Sequence, residues 1–208
     1  MDHWQDVYEH CEPDQVSWHE PRPEPSLALI AGTAVPLDAA ILDAGGGTSA
    51  LARELLRRGY TDVTVADISA AALRRAREAL GDTADRVECV EADLRIHRFD
   101  RAYDLWHDRA VLHFMVDEPD RDRYLANLRS AIRPGGHLIL ATFGPEGPTR
   151  CSGLPVRRYG AGELAALLTP EFSLLGSELV DHRTPGGSTQ QFLYSHFRRG
   201  HSRDAGRP

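Results

Sequence analysis

The stretch Ile41-Leu42-Asp43-Ala44-Gly45-Gly46-Gly47-Thr48-Ser49 constrains this chain most, because an apolar run ends in a carboxylate and opens at once into three glycines. Ala39 to Leu42 fit a short buried strand, and Ala50 to Leu56 fit a helix that Thr48 is placed to cap. Glycines let the backbone turn sharply and let a ligand approach it closely. Strand, glycine turn and helix in this order read as a nucleotide-cofactor loop.

The rest of the chain sets the frame. Its 208 residues suit one compact α/β domain with an added arm. A net charge of -7 argues against a nucleic-acid face, which needs a basic surface. Cys11, Cys89 and Cys151 are too widely spaced for a zinc site and odd in number, so no disulfide framework is expected. The scattered His, Asp and Glu residues form no recognisable ligand set, so no metal is expected. No run approaches the roughly 18 apolar residues of a membrane span. The expectation is a soluble, cytoplasmic protein, monomeric by default, with no membrane or nucleic-acid partner.

Strand and helix then alternate, which encodes a parallel sheet with crossover helices. Asp62 to Asp67 reads as a second strand and Ser69 to Leu80 as a helix ended by Gly81. Val87 to Val90 is a third strand, running out at Glu91-Ala92-Asp93, and Tyr103 to Trp106 a fourth. Asp120 to Ile132 reads as a helix stopped by Arg133-Pro134-Gly135-Gly136, and His137 to Phe143 as a fifth strand. Gly144 to Gly153 reads as a loop and Gly162 to Leu168 as a short helix; Phe172 to Val180 and Gln190 to Arg198 form a closing antiparallel hairpin. Residues 1–36, with Trp4, Tyr8 and Trp18 among acids and prolines, are expected to be an aromatic arm or lid. Residues 37–198 are the main domain, and 199–208 a disordered tail.

Asp43-Ala44-Gly45-Gly46-Gly47-Thr48-Ser49, Asp67, Asp93 and Arg133-Pro134-Gly135-Gly136 together resemble the class I S-adenosylmethionine-dependent methyltransferases, over roughly residues 38 to 197. The resemblance implies a Rossmann-like, doubly wound, mostly parallel seven-stranded sheet with a C-terminal antiparallel hairpin. It also implies S-adenosylmethionine as cofactor and S-adenosylhomocysteine as product. Gly45, Gly46, Gly47 and Thr48 would pass beneath the methionine part, with Asp43 at the head of the loop. Asp67 would take both ribose hydroxyls, and Asp93 would lie near the adenine amino group. A carboxylate is a pure acceptor, matched to two hydroxyl donors. Ile68 and Leu94, each directly after an acid, are candidate walls for the adenine ring. Tyr8 and Trp18 are candidate faces toward a cationic cofactor. Ser49 stands where the family usually has a third glycine.

The loop also satisfies the GxGxxG/A form of the dinucleotide fingerprint, with Asp67 at about the spacing of a nicotinamide ribose acid. Asp43, Asp93 and the closing hairpin favour the methyltransferase. Each acid also has a structural reading, as a helix cap or turn residue.

Ligands of open α/β sheets bind beyond the carboxyl ends of the strands, which points to Trp106-His107-Asp108-Arg109 after strand four. His107 is the expected base and Asp108 its orienting partner. Trp106, Arg109, His113, Arg157 and Tyr159 are the expected acceptor contacts. Asp108-Arg109 as a loop-anchoring ion pair, and His113 as a core histidine, are the structural alternatives. Methyl transfer is an in-line displacement, so alignment supplies most of the acceleration. Asp104 to Leu112 is also similar in layout to a motif of some seven-β-strand protein lysine methyltransferases, although Arg109 stands for the usual lysine and His113 for a later acid. A small-molecule acceptor at O, N or S is therefore expected first and a protein side chain second. An NAD(P)-dependent oxidoreductase and a non-catalytic cofactor sensor follow.

Overall fold

The computed structural model describes residues 2–12 and 14–201. Five parallel strands run in the order the alternating pattern implies: β1 (Ala40–Ala44), β2 (Asp62–Asp67), β3 (Val87–Glu91), β4 (Tyr103–Arg109) and β5 (Ile132–Phe143). Two short strands, β6 (Arg150–Cys151) and β7 (Leu154–Pro155), form a separate small hairpin. The long pair β8 (Phe172–Arg183) and β9 (Thr189–Arg199) closes the main sheet, whose order is β3-β2-β1-β4-β5-β9-β8. β9 is antiparallel to both β5 and β8. The order reverses between β1 and β4, the place where open α/β sheets bind ligands.

The helices are α1 (Asp2–His10), α2 (Glu24–Gly32), α3 (Ala50–Arg57), α4 (Ala70–Leu80), α5 (Glu118–Ala131) and α6 (Ala161–Leu168). Strand side chains alternate between faces. On one face Ile41, Val63, Val65, Leu105 and Ile139 pack under α2 and α3, with Leu27, Ile30, Leu51 and Leu55 buried. On the other, Leu42, Trp106, Leu138 and Leu140 pack against Tyr124, Leu125 and Leu128 of α5 and Leu164 and Leu168 of α6.

Several boundaries differ from the sequence reading. Ser49, in the left-handed region at φ 46°, caps α3 by accepting from the Ala52 amide, so Thr48 is not the cap. β5 begins at Ile132 and takes in Arg133 to Gly136, which the sequence reading made a stop. Ala110 to Met115 reads in sequence as a short helix but holds only a 3-10 turn at Leu112–Phe114, and the loop after β5 contains the β6/β7 hairpin. Residues 1–36 hold two kinds of structure: α1 lies on α4 through Tyr8, Ala71 and Ala72, whereas α2 buries Leu27 and Ile30 in the main core. Arg199 ends β9 within the sheet, and residues 202–208, most of the expected tail, lie outside the described residues. Among the described residues no helix is long and apolar enough to cross a membrane.

Candidate active site

The carboxyl ends of β1, β2 and β4 bring the site together. A Cβ on Gly46 would lie 2.7 Å from Asp43 Oδ2 and 2.8 Å from Val65, so only glycine turns tightly enough here. Gly47, at φ +56°, donates its amide to Asp67 Oδ2 at 2.9 Å, and the Tyr8 hydroxyl sits 2.5 Å from where its Cβ would be. Asp67 Oδ1 accepts from the Ser69 amide at 2.9 Å. Burial pushes the Asp67 carboxyl up to about 6; the backbone donors at Ser69 and Gly47 oppose the shift and nearby Asp43 adds to it.

Two cavities of about 380 and 230 Å³ meet at this turn and share Tyr8, Trp18, Gly45 and Arg109 as walls. The smaller is lined by the loop Gly45 to Ser49, with Asp43 and His107 behind it and Arg53 and Arg75 at its rim. The larger carries Asp67, Ile68, Asp93 and Leu94 on one side. Its other side is apolar and aromatic, with Trp4, Phe114, Met115, Leu154 and Pro155. Trp4 stands edge-on to Phe114 at 4.9 Å and to Trp18 at 5.8 Å, so α1 forms part of the roof. Gln5 fastens that helix by accepting from the Ser69 hydroxyl and the Ala71 amide at the start of α4. Asp93 is already paired with Arg95, whose guanidinium holds its carboxyl below the usual range and also reaches Asp120.

The residues expected at the tip of β4 separate. β4 runs through to Arg109, so His107 and Asp108 are successive strand positions on opposite faces and cannot pair. His107 instead shares its face with Asp43, its register partner on β1, and their side chains meet at 2.9 Å. The other nitrogen, Nε2, meets Ser26 Oγ at 2.8 Å, so both ring nitrogens are engaged and the ring is buried. Asp108 lies on the α5 side, where it accepts from the Val111 and Leu112 amides and the Tyr124 hydroxyl. Burial pushes its carboxyl up to about 6 against those donors. It braces the turn after β4.

Four of the five expected acceptor contacts also lie elsewhere. Trp106 is fully buried in the core against Phe99 and Tyr124. His113 is enclosed between Phe114 and Phe143, and burial, helped by the Arg109 charge, drops its pKa to about 3. Tyr159 is buried in the core, and Arg157 pairs with Glu163 on the exposed side of α6. None of these four lines either cavity. Arg109 lines both, but its guanidinium is occupied: Nη1 donates to the Trp18 carbonyl at 3.0 Å, Nη2 meets Glu20 at 3.0 Å, and Nε donates to the Tyr194 hydroxyl at 3.1 Å. Burial pushes Glu20 up, but His182 and Arg109 together outweigh it and hold Glu20 below the ordinary range. The sequence reading passed over Ser26, Glu20, Tyr194 and His182 behind the site and Phe114 in the chamber wall, where Trp4 of the expected arm, Cys151 and Leu154 join it.

A seven-stranded sheet of this order with an antiparallel last strand, and acids at the ends of β1, β2 and β3 around a glycine turn, defines a Rossmann-like methyltransferase. Residues 41–136 match the family model described as a methyltransferase domain, and the fold is the Rossmann-like one of S-adenosylmethionine-dependent methyltransferases. The biotin biosynthesis bifunctional protein BioCD of Bordetella avium is 35% identical over 143 residues, covering 68% of this chain but 29% of that protein. The lovastatin nonaketide synthase mokA of Monascus pilosus is 30% identical over 53% of this chain, which spans 4% of it. The ubiquinone/menaquinone biosynthesis C-methyltransferase UbiE of Hahella chejuensis is 28% identical over 74% of this chain and 64% of that protein. Among solved structures, one concerned with converting a disulfide bond into a thioacetal group during echinomycin biosynthesis superposes with a TM-score of 0.76 at 21% identity, covering 97% of this chain and 94% of that one. The N-methyltransferase NodS from Bradyrhizobium japonicum WM9 with S-adenosylhomocysteine gives 0.71 at 18% identity, covering 95% and 99%.

Proposed function

We propose that this chain transfers a methyl group from S-adenosylmethionine to a small, largely apolar acceptor. The carrying observation is a cleft of two cavities that meet at Gly45, Tyr8, Trp18 and Arg109: one follows the glycine turn, and the other sets the carboxylates of Asp67 and Asp93 opposite an apolar, aromatic wall. In this reading Asp67 receives the ribose hydroxyls, Ile68, Leu94 and Asp93 flank the adenine, and Gly45 to Thr48 hold the methionine part. The fit rests on the crowding at Gly46, which leaves room for backbone alone, and on a buried carboxylate whose oxygens face donors. When bound, the cofactor supplies an electrophilic methyl group. Tyr8 and Trp18 offer aromatic faces to its positive charge.

The chamber walls Trp4, Phe114, Met115, Leu154 and Pro155 suit a flat or apolar molecule. His107 is not the base in this reading, because both its nitrogens are engaged. Cys151 is no base either, since burial pushes its thiol up to about 11. His3 lines the chamber with its Nε2 3.3 Å from Ser152 Oγ, and it takes the proton of an O–H or N–H acceptor. A sulfur or nitrogen lone pair needs no base. Small-molecule acceptors appear in the names of relatives, including 1,6-didemethyltoxoflavin in a Burkholderia thailandensis N1-methyltransferase structure at 23% identity. A cytoplasmic location and a monomeric state belong to the same proposal; the free cysteines support a reducing compartment.

Calorimetry with S-adenosylmethionine, S-adenosylhomocysteine, NAD and NADP tests the cofactor, with micromolar binding of the sulfur nucleotides alone as the expected result. Release of S-adenosylhomocysteine is then followed over phenols, heteroaromatic amines, thiols and lysine peptides. Turnover of peptides alone would select the protein side-chain reading. Nicotinamide binding would select the oxidoreductase, and tight cofactor binding with no turnover the sensor.

A further inference from the structure

Two kinds of contact hold the arm. α1 packs through Tyr8 on Ala71 and Ala72, but residues 14–23, between α1 and α2, hold no helix or strand. Basic side chains of the body fasten this segment from outside, by its backbone carbonyls. His182 Nε2, on β8, donates to the Ser17 carbonyl at 2.8 Å, and Arg109 Nη1, on β4, donates to the Trp18 carbonyl at 3.0 Å. Arg53 Nη2, on α3, donates to the Pro21 carbonyl at 3.1 Å. The pattern repeats just after α1, where Arg75 of α4 donates to the Cys11 carbonyl. Glu20 ties two of these donors together, meeting Arg109 Nη2 at 3.0 Å and His182 Nδ1 at 3.3 Å. Three separate elements of the body therefore grip residues 17–21, and the carbonyls they use are present whatever side chain stands at those positions.

The gripped residues matter to the cleft. Residues 18–21 face the loop Gly45 to Ser49 across the smaller cavity, and Trp18 walls both cavities. The room above the glycine turn is therefore set by what holds residues 17–21 down. Bonds of this kind suit a part that lifts, because donor and carbonyl both find water when they separate and each bond is worth only a modest factor. The core side chains Leu27 and Ile30 of α2 need not move with it. We infer that His182, Arg109 and Arg53 are positioning residues, which strap residues 17–21 over the glycine turn by their carbonyls and so keep Trp18 in place as the wall against the cofactor. The effect on the cofactor rests on the reading proposed above; the attachment of the strap does not.

His182 is the member to test, because Arg109 and Arg53 line the cleft themselves whereas His182 lines neither cavity and reaches a ligand only through the strap. His182→Phe keeps a ring beside Phe192 but removes the donor to the Ser17 carbonyl, and His182→Gln restores an amide donor there. Hydrogen exchange of the ligand-free full chain, read by mass spectrometry, should be faster in peptides covering residues 14–22 of His182→Phe, near the parent rate in His182→Gln, and unchanged in β8 and β9. Calorimetry should show S-adenosylhomocysteine bound about fivefold more weakly by His182→Phe, the worth of one hydrogen bond, and close to parental affinity for His182→Gln. Unchanged exchange in residues 14–22, faster exchange in β8 and β9 instead, or parental affinity in a protein whose strap exchanges faster overturns the inference. Glu20→Gln weakens the same grip from the arm side and repeats the exchange measurement, so the outcome does not hang on the folding of one variant. A parent protein that binds no S-adenosylhomocysteine would remove the cofactor reading, while the exchange rates would still decide whether His182 holds the strap.

Discussion

The Asp43 carboxylate and the His107 imidazole are register partners on adjacent parallel strands and meet at 2.9 Å, at the point where the strand order reverses. The imidazole thereby holds the acid that the glycine turn folds around, with Ser26 behind it. His107→Ala takes a partner from both Asp43 and Ser26 in a buried place, leaving Asp43 only the Ser49 hydroxyl. Losing a buried hydrogen bond to a charged group costs about 1.5–3 kcal/mol, so denaturant stability should fall by about that much. Affinity for S-adenosylhomocysteine should fall with it, and turnover at saturating cofactor should persist. Lost turnover with stability and affinity intact would return His107 to the role of base.

Asp108 makes the opposite case from the next position in the chain. Its carboxylate serves two backbone amides and Tyr124 on the far face of the sheet. Asp108→Ala is expected to lower stability by about 3 kcal/mol, since it orphans several buried donors. The folded fraction should keep the parent kcat. A stable Asp108→Ala protein with no turnover would contradict this placement.

Asp67 ties ligand affinity to pH. Burial raises its carboxyl to about 6, and the ribose hydroxyls of the proposed cofactor need the ionised form as acceptor. Binding below that pH must expel a proton, so S-adenosylhomocysteine affinity should be flat above about pH 7 and fall toward tenfold per unit below 6. Stability of the ligand-free protein moves the other way. A raised carboxyl keeps the proton more tightly in the folded chain, so this group's contribution declines as pH rises from about 4 to 6. Calorimetry from pH 5 to 8 checks the first trend, and Asp67→Asn should flatten it.

Much of this was legible in the sequence, because buried parallel strands read as apolar runs and their ends carry the loops. Asp43, the three glycines, Asp67 and Asp93 do surround one cleft. The tip of β4 was misread for a local reason: ending the strand at Trp106 freed His107, Asp108 and Arg109 from the pleat, whereas the strand extends through Arg109. Once those residues are strand, alternation alone forbids a His107–Asp108 pair. Ser26 was beyond reach for another reason: it meets His107 across 81 positions of sequence. No local pattern announces a serine in an apolar helix as a partner for a distant imidazole. Tyr194 and Glu20 are hidden in the same way, since only the closing of the sheet by β9 and the folding back of the arm bring them to Arg109.

His113 sets an acid limit on the fold. Burial between two phenylalanine rings drops its pKa to about 3, well below the value of about 6.5 in an unfolded chain. The unfolded state therefore takes up the proton first, and stability is lost as pH falls below about 6.5, at up to about 1.4 kcal/mol per unit. Asp67 and Asp108 oppose this between about pH 6 and 4, because their raised carboxyls gain in that window. Comparison with His113→Phe isolates the histidine. The variant should lose less stability between pH 6.5 and 4.5 in urea titrations, and parallel curves for the two proteins would show that the imidazole is not held neutral.

The arm should divide at the point where its packing changes. Residues before Pro21 meet the body at the roof of the cleft, through Gln5 on α4, Tyr8 on Gly47 and the Trp18 carbonyl on Arg109. α2 is different, since Leu27 and Ile30 are fully buried beneath α3. Deleting residues 1–20 should leave a cooperative melt but weaken S-adenosylhomocysteine at least tenfold, because it opens both cavities where Tyr8 and Trp18 form their shared wall. Deleting residues 1–36 strips two large core side chains, each worth about 2–5 kcal/mol, and removes Ser26 from His107. That protein should not fold. A shorter truncation with unchanged affinity would show that the arm covers the cleft without contributing to binding, and a folded longer truncation would show that α2 is dispensable to the core.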